Sequence, residues 1–198
     1  MKKIVSFLLT VCTTLSVGTM LTACEEPVDP ELSSGVNEET WNTAVAPANF
    51  DNVTFSIEGA FLDGLAEGNE GGEFSYVCKV DGDSATMNGE TLGSESVAGL
   101  KSVYINTAIE IIEDFAKFTY DEDSKTYKSN QDIIYTVTVM GYEAEITAKD
   151  VVVTVDANTN IASIFCTMVQ SFSQNGVPTQ YTLSITFTYS NYGTTVIA

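Results

Sequence analysis

The stretch YTLSITFTYS, Tyr181 to Ser190, alternates without a break. Tyr181, Leu183, Ile185, Phe187 and Tyr189 fall on one face, and Thr182, Ser184, Thr186, Thr188 and Ser190 on the other. A period of two in β-branched and aromatic residues marks a strand with one buried and one wet face. Its neighbours then decide the fold.

Strands are predicted upstream at 131–140, 143–156 and 161–173, with turns at Gly141-Tyr142, at DANTN (156–160) and at Asn175-Gly176. In 161–173, Ile161, Phe165 and Val169 oppose Ile164, Cys166, Met168 and Phe172. Apolar residues on both sides predict a central strand covered on both faces. YDEDSKTY, 120–127, has the aromatic ends and polar middle of a hairpin.

Earlier in the chain, Val53, Phe55 and Ile57 alternate with polar residues, as do Phe74, Tyr76, Cys78 and Val80. Asp81-Gly82 predicts a tight turn into Ala85 and Met87. Between the first two strands, GLAEGNEGGE (64–73) has no Gly-Lys-Ser/Thr ending and carries carboxylates, so it reads as a hairpin loop and not a phosphate cradle.

Two segments change period. Asn37 caps a short helix, with Glu38 and Glu39 at its positive end, Trp41 and Val45 on one face, and Pro47 after it. Residues 95–117 place Val97, Leu100, Tyr104, Ala108, Ile111 and Phe115 at steps of three or four. Val103, Ile109, Ile112 and Ala116 widen that stripe, and Glu110, Glu113 and Asp114 lie on its polar side. The pattern predicts an α+β domain over 38–198: a single curved antiparallel sheet, an unclosed half-barrel, wrapping one long helix, with a short N-terminal helix. A two-sheet sandwich leaves the long helix unplaced.

The amino terminus reads as an address. Lys2-Lys3 precede an uncharged apolar run, Ile4 to Leu21, that ends in Leu21-Thr22-Ala23-Cys24. That ending resembles the lipobox of bacterial lipoproteins. The resemblance implies cleavage of a signal peptide (1–23) and a diacylglycerol on the Cys24 sulfur, anchoring the chain to the extracytoplasmic face of a cell membrane. EEPVDPELSSGVN, 25–37, then reads as an acidic, flexible tether.

After residue 23 the chain retains six lysines, no arginine and 27 acids, a formal charge of −21. Nucleic acid is excluded as a partner, because phosphate contacts need Lys or Arg clusters. Anionic membrane surfaces repel such a chain.

The absence of histidine removes Ser-His-Asp and Cys-His chemistry and the ordinary zinc sites. The carboxylates of Asp121-Glu122-Asp123 and Glu143/Glu145 belong to turns or polar strand faces. Asp156-Ala157-Asn158-Thr159-Asn160 opens like a calcium loop, but Ile161 stands where glycine is needed and Thr167 where glutamate is. No enzyme activity, metal or cofactor is expected. Cys78 and Cys166 are either a disulfide pair or buried thiols.

The element order, the segment NFDNVTFSIEG (49–59) after a Trp-bearing helix, and the closing ITFTYSNYGTTVIA (185–198) together resemble the carriers and lipid-binding lipoproteins related to LolA, LppX and LprG. Ser190-Asn191-Tyr192-Gly193 resembles an ending common among Firmicute lipoproteins of this kind. The resemblance implies a half-barrel holding acyl chains against its helices, and no catalytic residues. A lipid anchor departs from the soluble carriers of that family.

The function expected is thus an envelope lipoprotein that binds a lipid or other hydrophobic ligand between sheet and helix. Val97, Leu100, Tyr104, Ile111 and Phe115 are its candidate lining residues, with Leu183 and Phe187 opposite. The alternative is a non-enzymatic structural or regulatory lipoprotein that engages a protein partner through its acidic surface.

Overall fold

The computed structural model describes residues 35–63, 72–139, 142–174 and 177–197. The signal segment, Cys24 and most of the tether lie outside the described residues. So do residues 64–71, Gly141 and Asn175-Gly176.

The short helix α1 spans Glu38–Ala44, and Asn37 Oδ1 accepts from the Thr40 backbone N–H at 2.9 Å as an N-cap. Pro47 opens a 3₁₀ turn, Pro47–Phe50, which leads into the sheet.

Four strands follow: β1 Asn52–Asp63, β2 Glu73–Asp81, β3 Ser84–Met87 and the short β4 Glu90–Thr91, which the sequence pattern does not announce. Gly82, at φ +57°, makes the tight β2–β3 connection that the Asp-Gly pair predicts. Past the long helix come β5 Phe118–Asp121, β6 Thr126–Ser129, β7 Ile133–Val139, β8 Tyr142–Val155, β9 Ile161–Gln174 and β10 Val177–Ser190.

All ten form one antiparallel, unclosed sheet in the order β4-β3-β2-β1-β10-β9-β8-β6-β5, with β7 also paired to β8. This excludes the sandwich. β10 sits between β1 and β9.

Register assembles the core in rows across the inner face. One row runs Tyr76, Ile57, Phe187, Ile164, Val153, Tyr127. Each full burial of such a side chain is worth about 1.5–3 kcal/mol. Strand β9 is central, but its second face is not sealed: Phe165 is 37% exposed and Val169 half-buried. That face of the neighbouring β10 carries Thr182, Ser184 and Thr186, which are compatible with water.

Strand β8 changes parity partway. Ala144, Ile146 and Ala148 are buried in its first half, and Val151 and Val153 in its second. The switch is a β-bulge between Lys149 and Val152, with Asp150 at φ +51°. The first half pairs with β7 and the second with β6.

The long helix, α2, is three consecutive segments: Ser94–Leu100, a π-helical Lys101–Asn106, and Thr107–Ile112. It ends earlier than the pattern predicts. Asp114 is extended, and its carboxylate caps Ala116 N at 3.2 Å, starting a separate 3₁₀ turn, Phe115–Lys117.

The wider π turn also shifts the buried stripe by one residue. After Val97 and Leu100 the next buried residue is Ile105, followed by Thr107, Ala108, Ile111 and Ile112; Val103 is 40% exposed. A constant 3.6-residue period cannot anticipate that extra residue.

Candidate functional site

Helix α2 divides the inner face of the sheet. Its first turns lie against β3 and its last turns against β7, so it crosses from one flank of the sheet to the other. β3 pairs with the end of β2, level with the start of β1; β7 pairs with the first half of β8, level with the end of β9. The crossing is therefore diagonal, leaving two opposite corners.

One corner is sealed by aromatic rings. Trp41, fully buried, packs on Phe115, Phe118 and Tyr127 at ring-centroid distances of 5.4, 5.2 and 4.9 Å. Its indole N–H donates to the Ile112 backbone oxygen at 2.8 Å. Phe50 meets Tyr189 and Tyr192 edge-on at 5.3 and 5.9 Å.

The chain entering the domain is fixed at the same corner. Val36 N–H donates to the Tyr127 hydroxyl. Gly35, at φ +73°, lies so close that a Cβ would stand 2.7 Å from the Tyr127 hydroxyl and 2.8 Å from the Tyr120 ring.

The other corner is left uncovered by the helix among the described residues, which do not include 64–71 between β1 and β2. It is formed by the end of β1, the start of β2, the start of β10 and the end of β9. Phe61 lies 5.9 Å from Phe74 and 6.4 Å from Tyr181, and Phe74 stacks on Tyr76 at 5.9 Å. Phe61, Phe74 and Tyr181 are only half-buried.

Gly59 makes this aromatic wall fit. A Cβ there would lie 2.5 Å from Phe74 Cζ and 2.6 Å from the Ser184 backbone oxygen, so the Phe74 ring occupies the space a side chain would take. Gln170, between Ile146 and Tyr181 in the register, is half-buried at the floor of the corner.

The predicted lining residues are not all in that corner. Val97, Leu100, Ile111, Leu183 and Phe187 are buried members of one continuous core, and Tyr104 packs half-buried against it. Phe115 lies outside the α2 stripe and belongs to the Trp41 cluster. Leu183 pairs with Phe61 and connects the core to the open corner.

Alternation alone points Phe74, Tyr76 and Tyr181 inward. It does not align β1 with β2 and β10, so it misses that Phe61, Phe74, Tyr76 and Tyr181 converge.

The remaining reactive groups are quiet. Cys78 and Cys166 are free thiols, each pushed up to about 12 by burial. They sit on β2 and β9, three strand spacings apart, about 14 Å, too far to bridge.

Burial also raises the Tyr135 and Tyr189 hydroxyls. Neither makes a hydrogen bond of good geometry among the described residues, although Tyr135 lies beside Thr107. Lys128 and the backbone N–H groups of Ser124 and Asp123 hold Asp121 at about 2. Among the described residues no group of three or more Cys, Asp or Glu is placed to hold a metal.

An open hollow of about 270 Å³ is lined by Ala48, Asn49, Asn52, Tyr192 and Gly193. Its central side chain is already engaged. Asn52 donates to Asp81 Oδ1 (2.9 Å) and Thr195 O (3.1 Å), and accepts from Thr195 N (2.8 Å).

The closing Ser-Asn-Tyr-Gly motif is likewise structural. Asn191 and Gly193 turn the chain at positive φ, Gly193 N–H donates to Asn52 O at 2.8 Å, and the Tyr192 hydroxyl donates to Ile161 O at 2.8 Å.

No protein-family model, no curated protein and no solved structure matches this chain.

Proposed function

We propose that this is an envelope lipoprotein, anchored through lipid on Cys24, whose domain is an unclosed half-barrel that binds a hydrophobic ligand between sheet and helix. The observation that carries this reading is the diagonal course of α2. Among the described residues it leaves one corner of the apolar face lined by half-buried Phe61, Phe74 and Tyr181. A small apolar patch beside a rigid core suits a ligand whose hydrocarbon replaces water there.

The ligand enters beside the core and not through it. Leu183 and Phe187 support the site from beneath, and Val97, Leu100 and Ile111 fix the helix that borders it. The role proposed is binding, without chemistry on the ligand.

The anchor is tested by membrane fractionation and intact-mass measurement. The chain is expected in the membrane fraction with a diacylglycerol mass on Cys24. Cys24→Ser is expected to release the chain or leave it uncleaved. An unmodified Cys24 on the native protein contradicts the anchor. Recovery of a stoichiometric protein partner and no small molecule favours an interaction module over a carrier.

A further inference from the structure

Strand β7, IIYTVTV, has seven residues and no charge, proline or glycine. It pairs with β8 alone, so its other edge is free among the described residues. Every second residue of such an edge leaves its N–H and C=O without a strand partner. The other two edges of the sheet are blunted. β4 is two residues long and begins with Glu90, and β5 is four residues long and ends in Asp121. Short, charged edges resist pairing, whereas a long, uncharged, β-branched edge invites it.

The chain's own remaining segments suit this edge poorly. The tether, 25–34, carries Pro27 and Pro30, which have no N–H to give, and the carboxylates of Glu25, Glu26, Asp29 and Glu31. Residues 64–71 connect β1 and β2, four strands from β7.

Charge selects the partner. On the outer face, Glu145 and Glu143 of β8 stand opposite Thr136 and Thr138 in the register. On the inner side, Glu110 and Glu113 are exposed at the end of α2, whose last turns lie against β7. Glu110 is close enough to add to the burial that raises the Tyr135 hydroxyl. None of these four glutamates has an ion pair among the described residues.

The neighbouring lysines are already engaged. Asp114 holds Lys117 at 3.6 Å, Asp132 holds Lys149 at 3.8 Å, and Asp121 holds Lys128. Lys125 lies in the turn at the far end of the β5–β6 hairpin, and Lys79 and Lys101 belong to the β1–β2 flank. A strand added to β7 lies two strand spacings from β8, about 10 Å, within a Debye length of Glu143 and Glu145. A second copy of this chain brings the same glutamates and another acidic surface, so like charges oppose self-pairing.

We propose that the free edge of β7 takes an extended, cationic segment of a partner protein as an added strand, with Lys or Arg alternating with apolar residues. The backbone ladder supplies affinity and the alternate side chains supply specificity. The apolar side chains lie beside half-buried Tyr135 and Val137, and the basic ones reach Glu143 and Glu145. This goes beyond the hydrophobic-ligand reading and does not depend on it.

The test titrates the purified full chain, with its native amino terminus, with three nine-residue peptides. One alternates Lys and Val, one alternates Glu and Val, and the third is the Lys-Val peptide with two of its valines replaced by proline. Fluorescence anisotropy reads binding, and amide hydrogen exchange over 133–139 reads its place.

The Lys-Val peptide is expected to bind and to slow exchange in 133–139. The proline peptide, of equal charge, is expected to bind about tenfold more weakly or worse, because it loses ladder hydrogen bonds. Glu143→Gln with Glu145→Gln is expected to weaken Lys-Val binding about twofold to tenfold, the range of two exposed ion pairs, with the unfolding midpoint unchanged. Thr136→Lys is expected to weaken it more than Thr188→Lys, the same charge change at an exposed position on β10.

Equal binding of the proline peptide, or equal effects of the two lysine variants, reveals charge attraction without an added strand and overturns the proposal. No binding of the Lys-Val peptide, equal binding of the Glu-Val peptide, or slowed exchange only outside 133–139 also overturns it. A peptide-free dimer already protected at 133–139 assigns the edge to a second copy and overturns it as well.

Discussion

Trp41 on the first helix donates its indole N–H to the backbone oxygen of Ile112, at the last turn of the long helix, across 2.8 Å. This one bond joins two elements 71 residues apart and fixes the end of α2 over the sheet. It also keeps the buried Ile112 carbonyl satisfied where the helix stops. The diagonal that leaves the opposite corner open depends on it.

Trp41→Phe is expected to destabilise the domain by about 1–3 kcal/mol, because the carbonyl loses its donor. Trp41→Ala adds a cavity and is expected to cost about 3–5 kcal/mol. Urea unfolding followed by far-UV circular dichroism measures both. A Trp41→Phe variant as stable as the parent contradicts the role given to this bond.

Gly59→Ala sets a methyl against the Phe74 ring and the Ser184 backbone oxygen. The ring can rotate away, but the backbone cannot, so a loss of about 1–3 kcal/mol is expected. The same displacement spreads the aromatic wall. The amount of hydrophobic ligand retained on the purified protein is therefore expected to fall by more than it does for Ser75→Ala, at an exposed position on the neighbouring strand.

The π segment makes a prediction about deletion. Removing the exposed Val103 allows α2 to run as a regular α-helix, with Ile105 keeping its place after Leu100. Deleting Ile109 instead rotates the last turn, taking Ile111 and Ile112 off the core. Thermal unfolding is expected to show a small change for the first deletion and loss of folding for the second.

Cys78 and Cys166 are expected to resist thiol reagents at pH 8 in the folded protein and to react on unfolding. Their folded values of about 12 lie above the ordinary 9.0. The stability they contribute is complete below pH 9 and is lost as pH rises towards 12. Unfolding midpoints measured from pH 8 to 12 are expected to fall, and to fall less for Cys78→Ala and Cys166→Ala.

Much of this architecture is legible in the sequence because alternation and caps are local. Phe187 and Tyr189 declare their face, and Asn37 declares a helix start. The π turn at Lys101–Asn106 and the bulge at Asp150 are not legible: each inserts one residue to satisfy packing between distant segments. Both defeat a fixed period, moving burial from Tyr104 to Ile105 and switching the parity of β8.

The candidate site suffers most, because it is made by register. The stripe of α2 identifies the residues that hold the helix down, whereas the open corner is where the helix is absent.

Native mass spectrometry of the protein from its own membrane tests the central claim most directly. One small molecule bound per chain is expected, in addition to the lipid on Cys24, and its loss in Phe61→Glu while the Cys24 adduct remains. A wild-type chain carrying only the Cys24 lipid, or a ligand retained undiminished by Phe61→Glu, contradicts it.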